Sequence, residues 1–140
     1  MTSRAAAALL AATIVSPAMA NERSSPAERV QRGHASFYDA ERFAGRRMAN
    51  GDRFDPRSNA AASRTLPLGT IAEVTNRRTG RTRRVVIEDR GPRHRGRIID
   101  LTPRTARELG LLAEGVAPVE VRPVGRLPNE ARDGRSGNEG

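Results

Sequence analysis

The 140-residue chain carries 25 basic against 16 acidic side chains, a formal charge of +9, and every one of those basic residues is arginine. It has no cysteine, which excludes disulfides, thiol nucleophiles, cysteine zinc sites and a lipid-acceptor cysteine. Phe37, Phe43, Phe54 and Tyr38 are its only aromatics, too few for the stacking platforms that bind single-stranded nucleic acid.

At the N-terminus, Arg4 precedes an apolar run, Ala5–Val15, and then Ala18-Met19-Ala20, a small-x-small cleavage pattern. The pattern predicts a secretory signal peptide over 1–20, whose apolar run is too short to span a membrane. A periplasmic or secreted protein is expected after cleavage near Ala20, with neither lipid nor membrane anchor. There a strongly basic surface meets anionic glycans, peptide carboxylates and lipid head groups, and nucleic acid is not the expected partner. Residues 21–32 read as a polar linker. His34 and His94 are too few and too isolated for a metal site, so no metal or other cofactor is expected.

From 33 to 124, β signals dominate. His34–Tyr38 reads as a short strand. Thr70–Asn76 and Arg81–Glu88 flank Arg77-Arg78-Thr79-Gly80 and read as a hairpin, with Ala72, Val74, Val85 and Ile87 turned inward. Val85-Val86-Ile87 runs into Asp89, and Ile98-Ile99 runs into Asp100. Arg90-Gly91-Pro92 breaks the chain between them. Acids at strand ends beside a loop are placed to line a cleft, yet local pairing with Arg90, Arg93, Arg95 and Arg97 explains them equally well on spacing alone. Thr102 as N-cap, Pro103 at the first position and Gly110 as C-cap bound a helix that buries Ala106 and Leu109. Ala117–Val124 supplies another strand, Val119 and Val121 alternating with Glu120 and Arg122. Residues 125–140 read as a disordered tail. Many short strands with one small helix predict a small closed barrel.

Five ordered blocks resemble the rare lipoprotein A family of septal lytic transglycosylases. They are Gly33-His34-Ala35-Ser36-Phe37-Tyr38; Gly45 to Asp55, containing Ala49-Asn50-Gly51-Asp52; Thr65-Leu66-Pro67-Leu68-Gly69-Thr70; Asp89-Arg90-Gly91-Pro92; and Gly96 to Thr102. The resemblance implies a mostly β fold, a six-stranded double-psi β-barrel with one or two short helices. It also implies endolytic cleavage between N-acetylmuramic acid and N-acetylglucosamine. Naked glycan strands lacking stem peptides would be preferred, and the products would end in anhydro-muramyl residues. Peptidoglycan would be the partner, with cell-division proteins beside it, and the chain would act as a monomer.

Carried over residue by residue, the family's catalytic acid falls on Asp89. The acid of its A-N-G-E block falls on Asp52, one methylene shorter, and the acid closing that block falls on Asp55. Asp100 and Ser63 stand second, Ser63 where the family has histidine. Arg90 and Asn50 are the expected sugar contacts. A lytic transglycosylase needs no water, because the muramyl hydroxymethyl oxygen attacks its own anomeric carbon, so one carboxyl can serve as acid and then base. A hydroxyl at 63 cannot shuttle protons near neutral pH as imidazole does. A barrel that binds glycan without cutting it is therefore the alternative.

Overall fold

The computed structural model describes residues 28–128, together with residues 11, 12 and 25. Nearly all of the expected signal segment, half of the linker and the tail past Pro128 lie outside the described residues. Among those described, no helix is long and apolar enough to cross a membrane. In chain order the elements are β1 (Gln31–Phe37), α1 (Ala40–Phe43), β2 (Ala60–Ala62), β3 (Thr70–Asn76), β4 (Thr82–Asp89), β5 (Arg97–Leu101), α2 (Pro103–Leu109) and β6 (Ala117–Arg126). The strands close into a barrel in the order β1-β5-β2-β4-β3-β6. β1 pairs with β5, and β2 with β4, in parallel; every other neighbouring pair is antiparallel. Closure leaves no strand edge exposed, which suits a small domain without disulfides.

Period-two alternation fills the interior. Ala72 and Val74 from β3, Val85 and Ile87 from β4, Ile99 and Leu101 from β5, and Val119 and Val121 from β6 are all buried in one cluster. Their neighbours Glu73, Arg84 and Arg122 face water and pair with opposite charges. The hairpin between β3 and β4 matches the sequence reading to within a residue. β1 starts at Gln31, inside the expected linker, because β6 offers Val121 and Glu120 as antiparallel partners there. β6 likewise runs on to Arg126, opposite Thr70 of β3. Partner strands extend elements whose own residues are polar.

Helix α2 packs Ala106 and Leu109 into the same core and is bounded as its caps predict. Thr102 accepts from the Thr105 N–H at 3.2 Å, Pro103 opens the helix, and Gly110 ends it at φ 76°. Its buried stripe is Thr105, Ala106 and Leu109. The Leu109 carbonyl, left over at the helix end, accepts from the Asn76 amide at 2.9 Å and the Thr79 hydroxyl at 3.1 Å. Two elements escaped the sequence reading. β2 is an Ala-Ala-Ala run with neither alternation nor β-branching, and α1 is four residues long. Between β1 and β2 the chain makes an excursion over residues 38–59. It packs Met48, Phe54 and Ala60 into a second small core with Tyr38 and Phe43.

Candidate functional site

The site begins with an irregularity in β4. Ala61 of β2 pairs with Ile87, but Ala62 pairs with Asp89, so Glu88 is an extra residue in the ladder. Simple alternation with Val85 and Ile87 would turn Asp89 into the core. The bulge turns it out instead. On the other side of β2, Ala62 pairs with Asp100, and Asp100 in turn pairs with Ser36 of β1. Four adjacent strands thus present one row on the outer face: Ser36, Asp100, Ala62, Asp89. With strands about 4.8 Å apart, the two acidic residues stand roughly 10 Å apart at their α-carbons, separated by a single methyl side chain. The β4–β5 loop folds back over this row. A β-carbon on Gly91 would lie 3.8 Å from Asp100 Oδ2 and 3.9 Å from the Ala62 methyl, and its φ of 137° is one that glycine alone adopts readily.

The two carboxyls are treated differently. Asp89 Oδ1 accepts from the N–H groups of Ala49 and Arg90, both at 2.9 Å, and Oδ2 accepts from the Tyr38 hydroxyl at 2.7 Å. Both its oxygens are set as acceptors. Asp100 Oδ1 accepts a single short hydrogen bond from the Ser36 hydroxyl. Burial pushes the Asp100 carboxyl above the usual carboxylate range, against the lowering pull of Ser36, Arg97 and His94, and the charge of Asp89 adds to the rise. Tyr38 is pushed far above the ordinary phenol value, first by burial, then by its bond to Asp89 and the charges of both acids. It is a neutral donor at any physiological pH.

Ser63 lies below the row, 1 % exposed. Its Oγ accepts from the N–H groups of Thr65 at 3.2 Å and Leu66 at 3.0 Å, and its own N–H donates to the Asp89 carbonyl at 3.2 Å. It caps a turn. Arg90 reaches back to the same turn, Nη1 donating to the carbonyls of Ser63 at 2.9 Å and Leu66 at 2.6 Å. Arg64 reaches the other way, to the carbonyls of Pro92 and His94. These two guanidiniums strut the loop over the acids.

The other expected acids lie elsewhere. Asp52 and Asp55 line a separate groove of about 460 Å³ with Met48, Arg53, Ser58, Asn59 and Glu88. There Asn50 and Asp52 hold a turn, with the Asp52 N–H on Asn50 Oδ1 at 2.9 Å and the Asn50 amide on Asp52 Oδ2 at 3.2 Å. The Asn50 N–H docks this turn on the Glu88 carbonyl at 3.0 Å. Asp55 accepts from the Arg57 N–H at 2.9 Å. The structure therefore brings Asp89 and Asp100 together and leaves Asp52 and Asp55 apart from them. It adds Tyr38 and Ser36, which the site reading lacked. The signal for both was present, since they lie two residues apart in Ala35-Ser36-Phe37-Tyr38 and so share a strand face.

A model of the family described as lytic transglycolase matches residues 30–121. The chain belongs to that family. Among similar proteins, the probable endolytic peptidoglycan transglycosylase RlpA of Nostoc is 53 % identical over 95 residues, covering 67 % of this chain and 26 % of the relative. The endolytic peptidoglycan transglycosylase RlpA of Neisseria meningitidis is 38 % identical over 110 residues, 76 % of this chain and 46 % of that one. The chain thus spans between a quarter and a half of these relatives. Among solved structures, the Streptomyces papain inhibitor superposes with a TM-score of 0.56 at 26 % identity, covering 71 % of this chain and 98 % of the inhibitor. A Clavibacter michiganensis expansin in complex with cellohexaose gives 0.56 at 19 % identity, covering 69 % and 51 %, and shows the shared barrel alone.

Proposed function

We propose that this family member is an endolytic peptidoglycan lytic transglycosylase acting outside the cytoplasm, and that Asp89 and Asp100 divide its proton work. The observation that carries the reading is the outward row in which Ala62 separates one carboxyl set to accept from another whose affinity for its proton burial raises. A muramyl residue that reaches both carboxyls from the rim of the β4–β5 loop has what the reaction needs. Asp100 gives its proton to the departing oxygen of N-acetylglucosamine as the bond to the muramyl anomeric carbon breaks. The muramyl hydroxymethyl oxygen closes on that carbon, and Asp89 takes the proton this hydroxyl releases. No water enters, the product ends in an anhydro-muramyl residue, and solvent returns the proton from Asp89 to Asp100. The acid is the group whose environment raises its pKa and the base is the group whose oxygens three donors aim, a division of labour that two unlike carboxyls permit. Asp52, Asp55 and Asn50 shape the excursion that walls the cleft. Naked strands are the expected substrate, because a muramyl residue stripped of its peptide exposes a lactyl carboxylate to the arginines of the β4–β5 loop.

Ser63 favours a second reading. Where the family pattern has histidine, this chain has a buried hydroxyl spent on two turn N–H groups, and such a barrel could bind glycan without cutting it. One experiment decides. The mature protein is incubated with denuded glycan strands, and anhydro-muramyl ends are followed by mass spectrometry. Release is expected from the wild type, with losses of about 100- to 10,000-fold in Asp89→Asn and in Asp100→Asn while sedimentation with sacculi persists. Retention on sacculi without release from the wild type would establish the binding reading.

A further inference from the structure

We infer that Tyr38 is a positioning residue of this site, which holds the Asp89 carboxylate in place and makes the 38–59 excursion part of the catalytic apparatus. The inference deepens the transglycosylase reading and rests on it. Asp89 sits at a bulge, where the ladder that would otherwise fix its backbone is interrupted. Its carboxylate is aimed by three donors, and two of them, the Ala49 N–H and the Tyr38 hydroxyl, come from the excursion and its entry. The Tyr38 hydroxyl is the only side-chain donor among the three. It is itself aimed from both ends. The Tyr38 N–H donates to the Leu101 carbonyl at 2.9 Å, continuing the β1–β5 pairing past the strand end. Its ring lies edge-on to Phe43, centroids 5.3 Å apart, and tilted against Phe54 at 4.5 Å. The phenol stays protonated throughout the working pH range, so Asp89 Oδ2 keeps its donor when its charge changes. One lone-pair direction of Asp89 Oδ2 is thereby fixed, and the other on that oxygen is left to meet the sugar hydroxyl.

Tyr38 is the only tyrosine of the chain, which has no tryptophan, so its phenol can be read alone. Tyrosinate absorbance is titrated in the wild type and in Asp89→Asn, and lytic kinetics and thermal melting are measured for Tyr38→Phe, with Phe54→Leu as a packing control. In Asp89→Asn the phenol should ionise at lower pH than in the wild type, since the negative charge beside it is lost while burial stays. Tyr38→Phe keeps the ring and should lower kcat on the order of 100-fold, the scale of a misplaced reacting group, with KM and Tm little changed. Phe54→Leu should lower Tm. Identical phenol titrations with and without Asp89 would overturn the contact. A shifted titration with unchanged kcat in Tyr38→Phe would overturn the inference alone, as would a loss of activity that merely follows Tm. A wild type without lytic activity would instead remove the transglycosylase reading and the catalytic role of Tyr38 with it.

Discussion

At Asp100, burial and chemistry oppose each other in a way that stability can report. Its carboxyl has a usual value of 3.8 and is raised in the folded chain, so the native state holds a proton that the unfolded chain has already released. Between those two values the folded protein binds more protons than the unfolded one, and stability falls as pH rises. Asp100→Asn removes the ionisable group but keeps an acceptor for Ser36. Its melting temperature should match the wild type most closely below the unfolded value and exceed it at neutral pH. A constant difference across the series would show that Asp100 ionises as freely in the fold as out of it. The sequence displayed both acids at strand ends, and this much was legible. What it could not display was the bulge, because Val85, Val86, Ile87, Glu88 and Asp89 read as an unbroken alternation with Asp89 on the inner face. For Ser36 and Tyr38 the shared strand face was legible but their partners were not, since these are 64 and 51 residues away.

Among the elements, α2 is the one whose limits were written locally. Thr102, Pro103 and Gly110 act within a few residues of themselves, and the helix starts and stops where they demand. β2 had no such marks. It exists because β4 and β5 flank it on either side, and an alanine triplet fits a crowded central position. The Thr102 hydroxyl also joins scales, since it donates to the Ser58 carbonyl at 2.7 Å while capping the helix. Thr102→Ala should therefore cost about 0.5–2 kcal/mol, the usual range for a lost N-cap. Urea unfolding should show a lower midpoint with an unchanged slope. Thr102→Ser should restore most of the loss. A variant as stable as the wild type would mean that the helix is held by Ala106 and Leu109 alone.

Over the whole molecule, charge is distributed unevenly. Glu73, Glu108 and Glu120 on the strands and helix away from the site are each matched by arginine: Arg84 for the first, Arg83 and Arg104 for the second, Arg32 and Arg122 for the third. Among the described residues no ion pair involves Arg93 or Arg95, which stand exposed on the loop that roofs the acid row. These two exposed guanidiniums add positive charge beside the acid row. Exposed charges act over about 10 Å at 0.1 M salt and about 3 Å at 1 M, so attraction of this kind weakens steeply with ionic strength. Sedimentation of the mature protein with purified sacculi should fall across a salt series, and denuded glycan, with its free lactyl carboxylates, should hold the protein to higher salt than intact material. Replacing both Arg93 and Arg95 by Glu should weaken retention at low salt and flatten its salt dependence, with stability little changed because both are exposed and neither is in an ion pair among the described residues. Retention that ignores salt, or a double variant that binds as the wild type does, would mean that hydrogen bonding and shape hold the strand, and that the arginine loop serves only to cover Asp100.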